Sequence, residues 1–497
     1  MKEDELTQKL TNSMGKGGII AFLGKLLEDL GLFLIELFLA QTLGAAKFGL
    51  FSLGRNITTW LRQLSKIGFT NGMVKFIPVY KNREDMEKLK GTILCGLFIP
   101  TALATIFAFI LFIFSGEVSS FFSKTIEFGE LLRIIAISMP FSTLTVITIF
   151  MLIGFKKIRE SVSIQLSQII SMLGFSILFI VLGYGLYGFA LAFVFSWLVS
   201  SMVGLHVLNK KFPLVSNIKS EFRIKKLFRF SMPLYMAGFT WIIIRRTDIL
   251  MLGYFSTPIE VGIYTVVVAV SALVAFPQQA ISKIFSPIVS ELYEKNDIKG
   301  LKYIYKKAAR WTYIVGIMVL ILIIFFSREI LGTLFGPEYI LGWLVLSVLA
   351  FFEFINISVG PSGPTLQMTY NQDAVFVINT TSAILNVLLN LLLIPSLGIL
   401  GAGIATGSAL AFNNLTQFLL LFKKYGITPF EKRFLGIIPP VIVAIILFLF
   451  LGTTHWVIKL IIISAGYSIT VFLTGLSMED RLFFGSFLKK MGKGYNK

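Results

Sequence analysis

The sequence predicts an all-α integral membrane protein of about 14 transmembrane helices, arranged as two pseudo-twofold-related six-helix bundles plus two C-terminal helices. Three observations carry that expectation. Of 497 residues, 56% are hydrophobic and only 14% charged, a composition outside the range of ordinary soluble domains. Apolar runs of about twenty residues, the length that crosses a hydrocarbon core, recur along the whole chain. The connections between these runs alternate between basic and nearly uncharged. With the N-terminus taken as cytoplasmic, 32 Lys and Arg fall in inner segments and three (Lys47, Lys124, Arg328) on the outer side. Short basic loops resist translocation, so this bias sets the orientation and puts both termini in the cytoplasm.

Residues 1–16 carry Leu6, Leu10 and Met14 at four-residue spacing among acids and lysines, the pattern of a short helix lying on the inner surface. Six spans follow at 17–41, 49–78, 91–114, 131–153, 162–183 and 188–208, which make an N-terminal bundle over 17–208. A cytoplasmic linker at 209–229 holds seven basic residues. The C-terminal bundle, 230–421, has spans at 230–252, 262–288, 306–327, 342–360, 374–394 and 401–421. Two extra spans, 435–451 and 457–475, occupy 422–475, and 476–497 form a basic cytoplasmic tail. The net charge of +19 is spread over seven inner segments, so membrane lipids with anionic headgroups are the expected partner and nucleic acid is not. Cys95 is the only cysteine, which excludes an internal disulfide and a thiolate metal cage.

An offset of 213 residues brings landmarks into coincidence. Phe48-Gly49-Leu50-Phe51 falls on Val261-Gly262-Ile263-Tyr264, Gly185 and Gly188 on Gly398 and Gly401, and Lys210-Lys211 on Lys423-Lys424. Tyr80 matches Tyr293, each followed by a charged inner loop ending Leu89-Lys90 or Leu301-Lys302. Six spans per copy is an even number, so both copies run the same way, related by an axis along the membrane normal, and a cavity is expected where they face.

Ionisable groups at membrane depth are costly and mark interiors or watery paths. In the second span Arg55, Arg62 and Lys66 share one narrow helical stripe, and in the first span Lys25, Glu28, Asp29 and Glu36 share one face. Antiparallel depth counting puts Glu36 level with Arg55 and Asp29 level with Arg62. In the seventh span Arg245 and Asp248 can pair along the helix, while Arg246 turns away. Glu353 lies mid-depth in the tenth span, Arg133 near the outer end of the fourth and Lys283 near the inner end of the eighth. Counting only these groups, eight bases face five acids. They read either as neutralised pairs that fix helix packing or as unpaired cations lining a cavity for an anionic headgroup.

Other motifs carry no chemistry. GAGIATG at 401–407 opens an apolar run with no preceding strand, so its small residues serve close helix packing. No GxxxxGK[ST] loop is present. His206 and His455 lie near opposite faces, which rules out a His metal site. Pro277 and Pro287 bracket Lys283 and mark the eighth span as a bending element.

Taken with LAQTLGAAKFGLFSL (39–53), GFTNGMVKFIPVYKNRED (68–85), LMLGYFSTPIEVGIYTVVVAV (250–270), GPEYILGWLVLSVLA (336–350) and NVLLNLLLIPSLGILGAGIATG (386–407), the chain resembles the multidrug/oligosaccharidyl-lipid/polysaccharide exporter superfamily. Within it, the chain is most similar to the polysaccharide-transporter branch of lipid-linked oligosaccharide flippases. The resemblance implies two six-helix bundles in a V, alternating access, and no enzymatic activity. It also implies transfer of a polyprenyl-(pyro)phosphate-linked glycan from the inner to the outer leaflet. The peptidoglycan-precursor branch carries arginines on spans one, two and eight, and this chain departs from it with Lys25 and Lys283.

The expected cationic cavity is Arg55, Arg62, Lys66, Arg245, Arg246 and Lys283. Lys25, Glu28, Asp29, Glu36, Asp248 and Glu353 are assigned to charge pairing or ion coupling. No cofactor or metal is expected beyond Na⁺ or H⁺ coupling. The substrate is a lipid-linked glycan, with a glycan polymerase or ligase as partner, in the cytoplasmic membrane of a prokaryote. The alternative is a cation-coupled multidrug antiporter of the same superfamily, against which a net-positive cavity argues.

Overall fold

The computed structural model describes residues 16–122, 125–213, 218–430, 432–452 and 454–476. The N-terminal surface segment and the C-terminal tail expected from sequence lie outside these residues. The described chain is helical, without strands: α1 Lys16–Lys66, α2 Phe69–Asn82, α3 Met86–Ile113, α4 Ser115–Phe122, α5 Ile126–Ala136, α6 Ser138–Gly154, α7 Ile158–Val181, α8 Gly185–Lys211 and α9 Ile224–Phe255. Then come α10 Pro258–Ser271, α11 Phe276–Glu294, α12 Ile298–Ile330, α13 Trp343–Ser358, α14 Ser362–Met368, α15 Gln372–Tyr425, α16 Ile438–Phe450 and α17 Trp456–Thr470.

By length and composition seven stretches suffice to cross a membrane, and ten if three bent pairs are each one span. The remaining expected spans come from how the chain is divided. At ~1.5 Å per residue, α1 and α15, with 51 and 54 residues, are more than twice a bilayer's hydrocarbon thickness. Each is two spans joined at a non-helical glycine, Gly44 (φ 71°) and Gly398 (φ 55°). Among the bent pairs, Pro258–Val274 and Phe276–Ser282 meet at 53°, immediately before Pro277. The apolar side chains that remain exposed, such as Phe98 (69%), Val181 (79%) and Phe450 (86%), are untenable on a soluble surface and suit contact with lipid.

The described chain condenses into two units, Ile19–Val266 with Ala383–Ala402, and Val267–Ser382 with residues 16–18 and 403–476. In the first, Phe69, Met73, Ile77, Ile93, Met151 and Leu208 form a buried core near the basic loops. In the second, Phe285, Val289, Leu292, Ile304, Tyr305 and Leu421 do the same.

Repetition reaches the backbone dihedrals. Gly185 and Gly398, 213 apart, have φ of 52° and 55°. In the charged loops Glu84 and Asn296 turn left-handed at φ 57° and 54°, as do Lys156 and Tyr370 at 60° and 59°. The residue after the first pair then caps a helix in each copy: Asp85 accepts from the Lys88 N–H at 3.2 Å and Asp297 from the Gly300 N–H at 2.8 Å. The matched glycines 49 and 262 pack against each other reciprocally. A Cβ on Gly49 would stand 1.8 Å from the Pro258 carbonyl oxygen, and one on Gly262 would stand 2.1 Å from that of Ala45. Ala45 and Pro258 are also 213 apart, so this is the self-complementary contact that a two-fold generates.

The second span is not one helix. After Lys66 the chain takes Ile67 and Gly68 through φ 43° and 75° and re-enters as α2. Irregular backbone at membrane depth needs protein partners for its freed polar groups. Here the Tyr235 hydroxyl donates to the Gln63 carbonyl oxygen at 3.2 Å. A side chain at Gly68 would meet the Ser231 carbonyl oxygen at 2.6 Å, so only glycine fits beside α9.

Candidate functional site

Within the first unit a cavity of about 300 Å³ opens midway along the spans. Both arms of α1 line it on one side, with Glu28 and Glu36 from the first and Arg55, Thr59 and Arg62 from the second. Steps of three and four residues keep each set on one helical face. Arg246 on α9 adds a third guanidinium, and the rest of the polar lining is neutral, built from Thr145 (α6), Gln165 and Gln168 (α7) and Trp197 (α8).

The guanidiniums differ in how they are held. Arg55 Nη2 pairs with Glu36 Oε1 at 2.8 Å, each side chain about 20% exposed, at the level that depth counting gives. Arg62 instead lies over the Trp197 ring, 5.2 Å from its centroid, and forms no ion pair among the described residues. Arg246 is anchored through its backbone, where its carbonyl oxygen accepts the Asn56 Nδ2–H at 2.9 Å. Its side chain is exposed into the cavity and likewise has no ion-pair partner among the described residues. A single arginine at the bilayer centre costs about 2.5–3.5 kcal/mol on insertion scales. Two such groups outside any ion pair among the described residues are retained where water or an anionic ligand offsets that cost.

The neutral wall suits hydroxyl-rich chemistry. Gln168 is held by a long contact, 3.4 Å, from its Nε2 to Ser196 Oγ, whereas the Gln165 amide bonds no described residue. The Trp197 indole N–H is also without an acceptor. Thr145 spends its proton on the Phe141 carbonyl at 2.9 Å, which leaves its oxygen lone pairs as acceptors.

Other residues singled out in the sequence lie elsewhere. Lys66 ends α1 at the Ile67–Gly68 break and does not line the cavity, nor does Asp29. Arg245 lies over the Trp241 ring, 5.2 Å from its centroid. Asp248 is buried and accepts the Tyr264 hydroxyl at 2.6 Å, so it ties α9 to α10. Glu353, in the second unit, is buried on α13 and accepts from Asn356 Nδ2 at 3.2 Å. The side chains of Lys25 and Lys283 fall outside the described residues. Sequence reasoning missed Thr59, Thr145, Gln165, Gln168 and Trp197. The two glutamines, three apart in an apolar run, were the available signal.

An all-helical, multi-pass membrane protein with a partly unneutralised polar cavity belongs to the class of membrane transporters. The chain is a member of the polysaccharide biosynthesis protein family, whose model matches residues 14–293. A second model, MatE, matches 233–392. The uncharacterized membrane protein MJ1068 of Methanocaldococcus jannaschii is 25% identical over 75% of this chain and 77% of its own. The probable low-salt glycan biosynthesis flippase Agl15 of Haloferax volcanii is 25% identical over 76% and 77%. In fold, the chain matches the lipid II flippase MurJ in an inward closed conformation at TM-score 0.72 and 17% identity, covering 91% of this chain and 98% of that one. The superfamily resemblance of the sequence is therefore shown.

Proposed function

We propose that this transporter flips a polyprenyl-(pyro)phosphate-linked oligosaccharide from the inner to the outer leaflet by alternating access, for cell-surface polysaccharide or glycoconjugate assembly. One observation carries the reading: Arg62 and Arg246, neither in an ion pair among the described residues, line the same cavity as the Gln165 and Gln168 amides, the Thr145 hydroxyl and the Trp197 indole. Guanidinium forks bind phosphate oxygens, and neutral donors and acceptors bind sugar hydroxyls. The Agl15 likeness supports the same substrate class. Arg55 contributes once Glu36 releases it, and Lys66 and Lys283 draw the headgroup from the basic side. Na⁺ or H⁺ acting on Glu28, Asp29, Glu36, Asp248 or Glu353 resets the cycle. The protein sits in the plasma membrane of a prokaryote with both termini cytoplasmic, supplying a glycan polymerase or ligase outside.

Arg62→Ala and Arg246→Ala, made singly, should each reduce surface glycan at least tenfold at normal protein abundance. That is the scale of losing a charged hydrogen bond, ~1.5–3 kcal/mol. Normal export by both variants overturns the assignment. The MatE match over 233–392 and the carboxylates Glu28 and Glu36 in the cavity favour a second reading, cation-coupled drug antiport. Accumulation of a fluorescent cation, scored beside translocation of a lipid-linked sugar in the same proteoliposomes, decides between the two.

A further inference from the structure

The first unit holds a second cavity, of about 310 Å³, between α4 and α5. It lies at the opposite end of the bundle from the basic loops, the extracytoplasmic end in the orientation proposed above. Gly116 makes room for it: a Cβ there would meet no atom within 4 Å. Arg133 forms one wall, its Nε donating to Ser115 Oγ at 2.8 Å, so the guanidinium plane is held while its Nη edge bonds no described residue. Glu130, one helical turn earlier, forms no ion pair with Arg133. It accepts the Tyr187 hydroxyl on Oε2 at 2.6 Å and keeps Oε1 open. Ser119 and Ser120 turn their protons to the carbonyls of Thr125 and Glu117, leaving hydroxyl lone pairs toward the space.

We infer that this pocket is a carbohydrate subsite for one uncharged sugar unit. Among the described residues its lining has no net charge, with one guanidinium and one carboxylate. It presents a planar donor edge at Arg133 and an excess of acceptors at Glu130, Ser119 and Ser120. A pyranose supplies the complement, with several hydroxyl donors and ring or hydroxyl oxygens that accept. A phosphate brings only acceptors and would meet the Glu130 carboxylate and the serine lone pairs. The volume admits a single sugar ring. That the sugar is part of the exported glycan rests on the flippase reading, but the binding itself does not.

The test is saturation-transfer NMR of methyl hexosides (glucoside, galactoside, mannoside) on the full chain in lipid nanodiscs. Wild type should bind at least one of them, with a dissociation constant on the order of 1 mM for so small a ligand. Arg133→Ala and Glu130→Gln should each weaken that binding at least tenfold, and Lys295→Ala, at an exposed ion pair that lines neither cavity, should leave it unchanged. All four proteins must show the same thermal transition. Absence of any hexoside signal in wild type, equal binding by both pocket variants, or displacement by inorganic phosphate overturns the proposal. Failure of the flippase reading would show as normal export by the Arg62 and Arg246 variants and would leave these binding results untouched.

Discussion

Arg62 on α1 and Gln417 on α15 each carry a strongly polar group along a membrane span, and their surroundings differ in kind. Gln417 Nε2 donates to Asn379 Oδ1 at 3.1 Å and to Asn413 Oδ1 at 2.9 Å, and Asn413 Nδ2 donates to Asn379 Oδ1 at 2.9 Å and to Ser382 Oγ at 3.1 Å. Ser362 Oγ bonds Asn414 Oδ1, whose amide nitrogen in turn bonds the Asn356 carbonyl. These amides are buried and spend themselves on one another, which is how polar side chains bind helices together in lipid. Around Arg62 the equivalent accounting does not close, since its guanidinium has an aromatic face but no carboxylate. Around Gln417 intramembrane polarity serves as glue, whereas around Arg62 part of it stays unspent, as the proposed substrate site requires.

Reversing the sign at Arg62 should separate these roles most sharply. Arg62→Glu places a carboxylate where the phosphate is proposed to sit, so glycan translocation should fall by two orders of magnitude or more while the thermal transition shifts little. Gln417→Leu should do the converse. It removes both donors that Gln417 supplies, at a cost of roughly 0.6–2 kcal/mol for an interhelical hydrogen bond in a membrane. The transition temperature should fall while turnover per folded molecule stays within twofold. If Gln417→Leu stops transport without loss of stability, the network is part of the pathway and the contrast collapses.

Between these in size lies a test at the place where the two copies are alike. Gly49 and Gly262 meet with no room for a methyl group, so Gly49→Ala and Gly262→Ala should each cost about 1–3 kcal/mol of overpacking. Because the contact is reciprocal, the two losses should agree within the error of a melting experiment. A large inequality would mean that the repeat in sequence has lost its equivalence in packing.

What was legible in the sequence follows the same division. Charges in an apolar background are local signals, so the facing rows on α1, including Glu36 beside Arg55, could be laid out by counting turns. The 213-residue offset was legible because turns demand particular residues, and Gly185 and Gly398 keep left-handed backbones that disfavour other side chains. The neutral wall was not, because Thr145, Gln168 and Trp197 belong to three helices whose rotation about their axes is set by packing. Nor was the break at Gly68. A lone glycine in an apolar run reads as tolerated helix, and only the nearness of the Ser231 carbonyl explains why the chain turns there. The amide network had a usable clue, since Asn379 and Asn413 lie 19 and 15 residues from Gly398 on either side of the turn, within about one helical turn of the same depth.

The smallest expected effect compares the two copies of one loop. Asp297→Ala removes an N-cap and should cost about 1 kcal/mol, read as a fall in melting temperature at neutral pH. Asp85 makes the same cap but also bonds the Lys88 ammonium. That side-chain bond, with the cap and the nearby Lys88 and Arg223 charges, holds its carboxyl below the usual carboxylate range against the opposing effect of desolvation. A depressed carboxyl stabilises the folded state fully above its unfolded pKa and loses that contribution as pH falls through the folded value. Melting temperature followed downward from pH 5 should therefore drop less steeply for Asp85→Asn than for wild type, with the two curves converging at the acid end. Parallel curves would mean that Lys88 prefers Glu221, its other carboxylate at 3.6 Å, and that the first copy's loop is built on the linker's charge and not on its own cap.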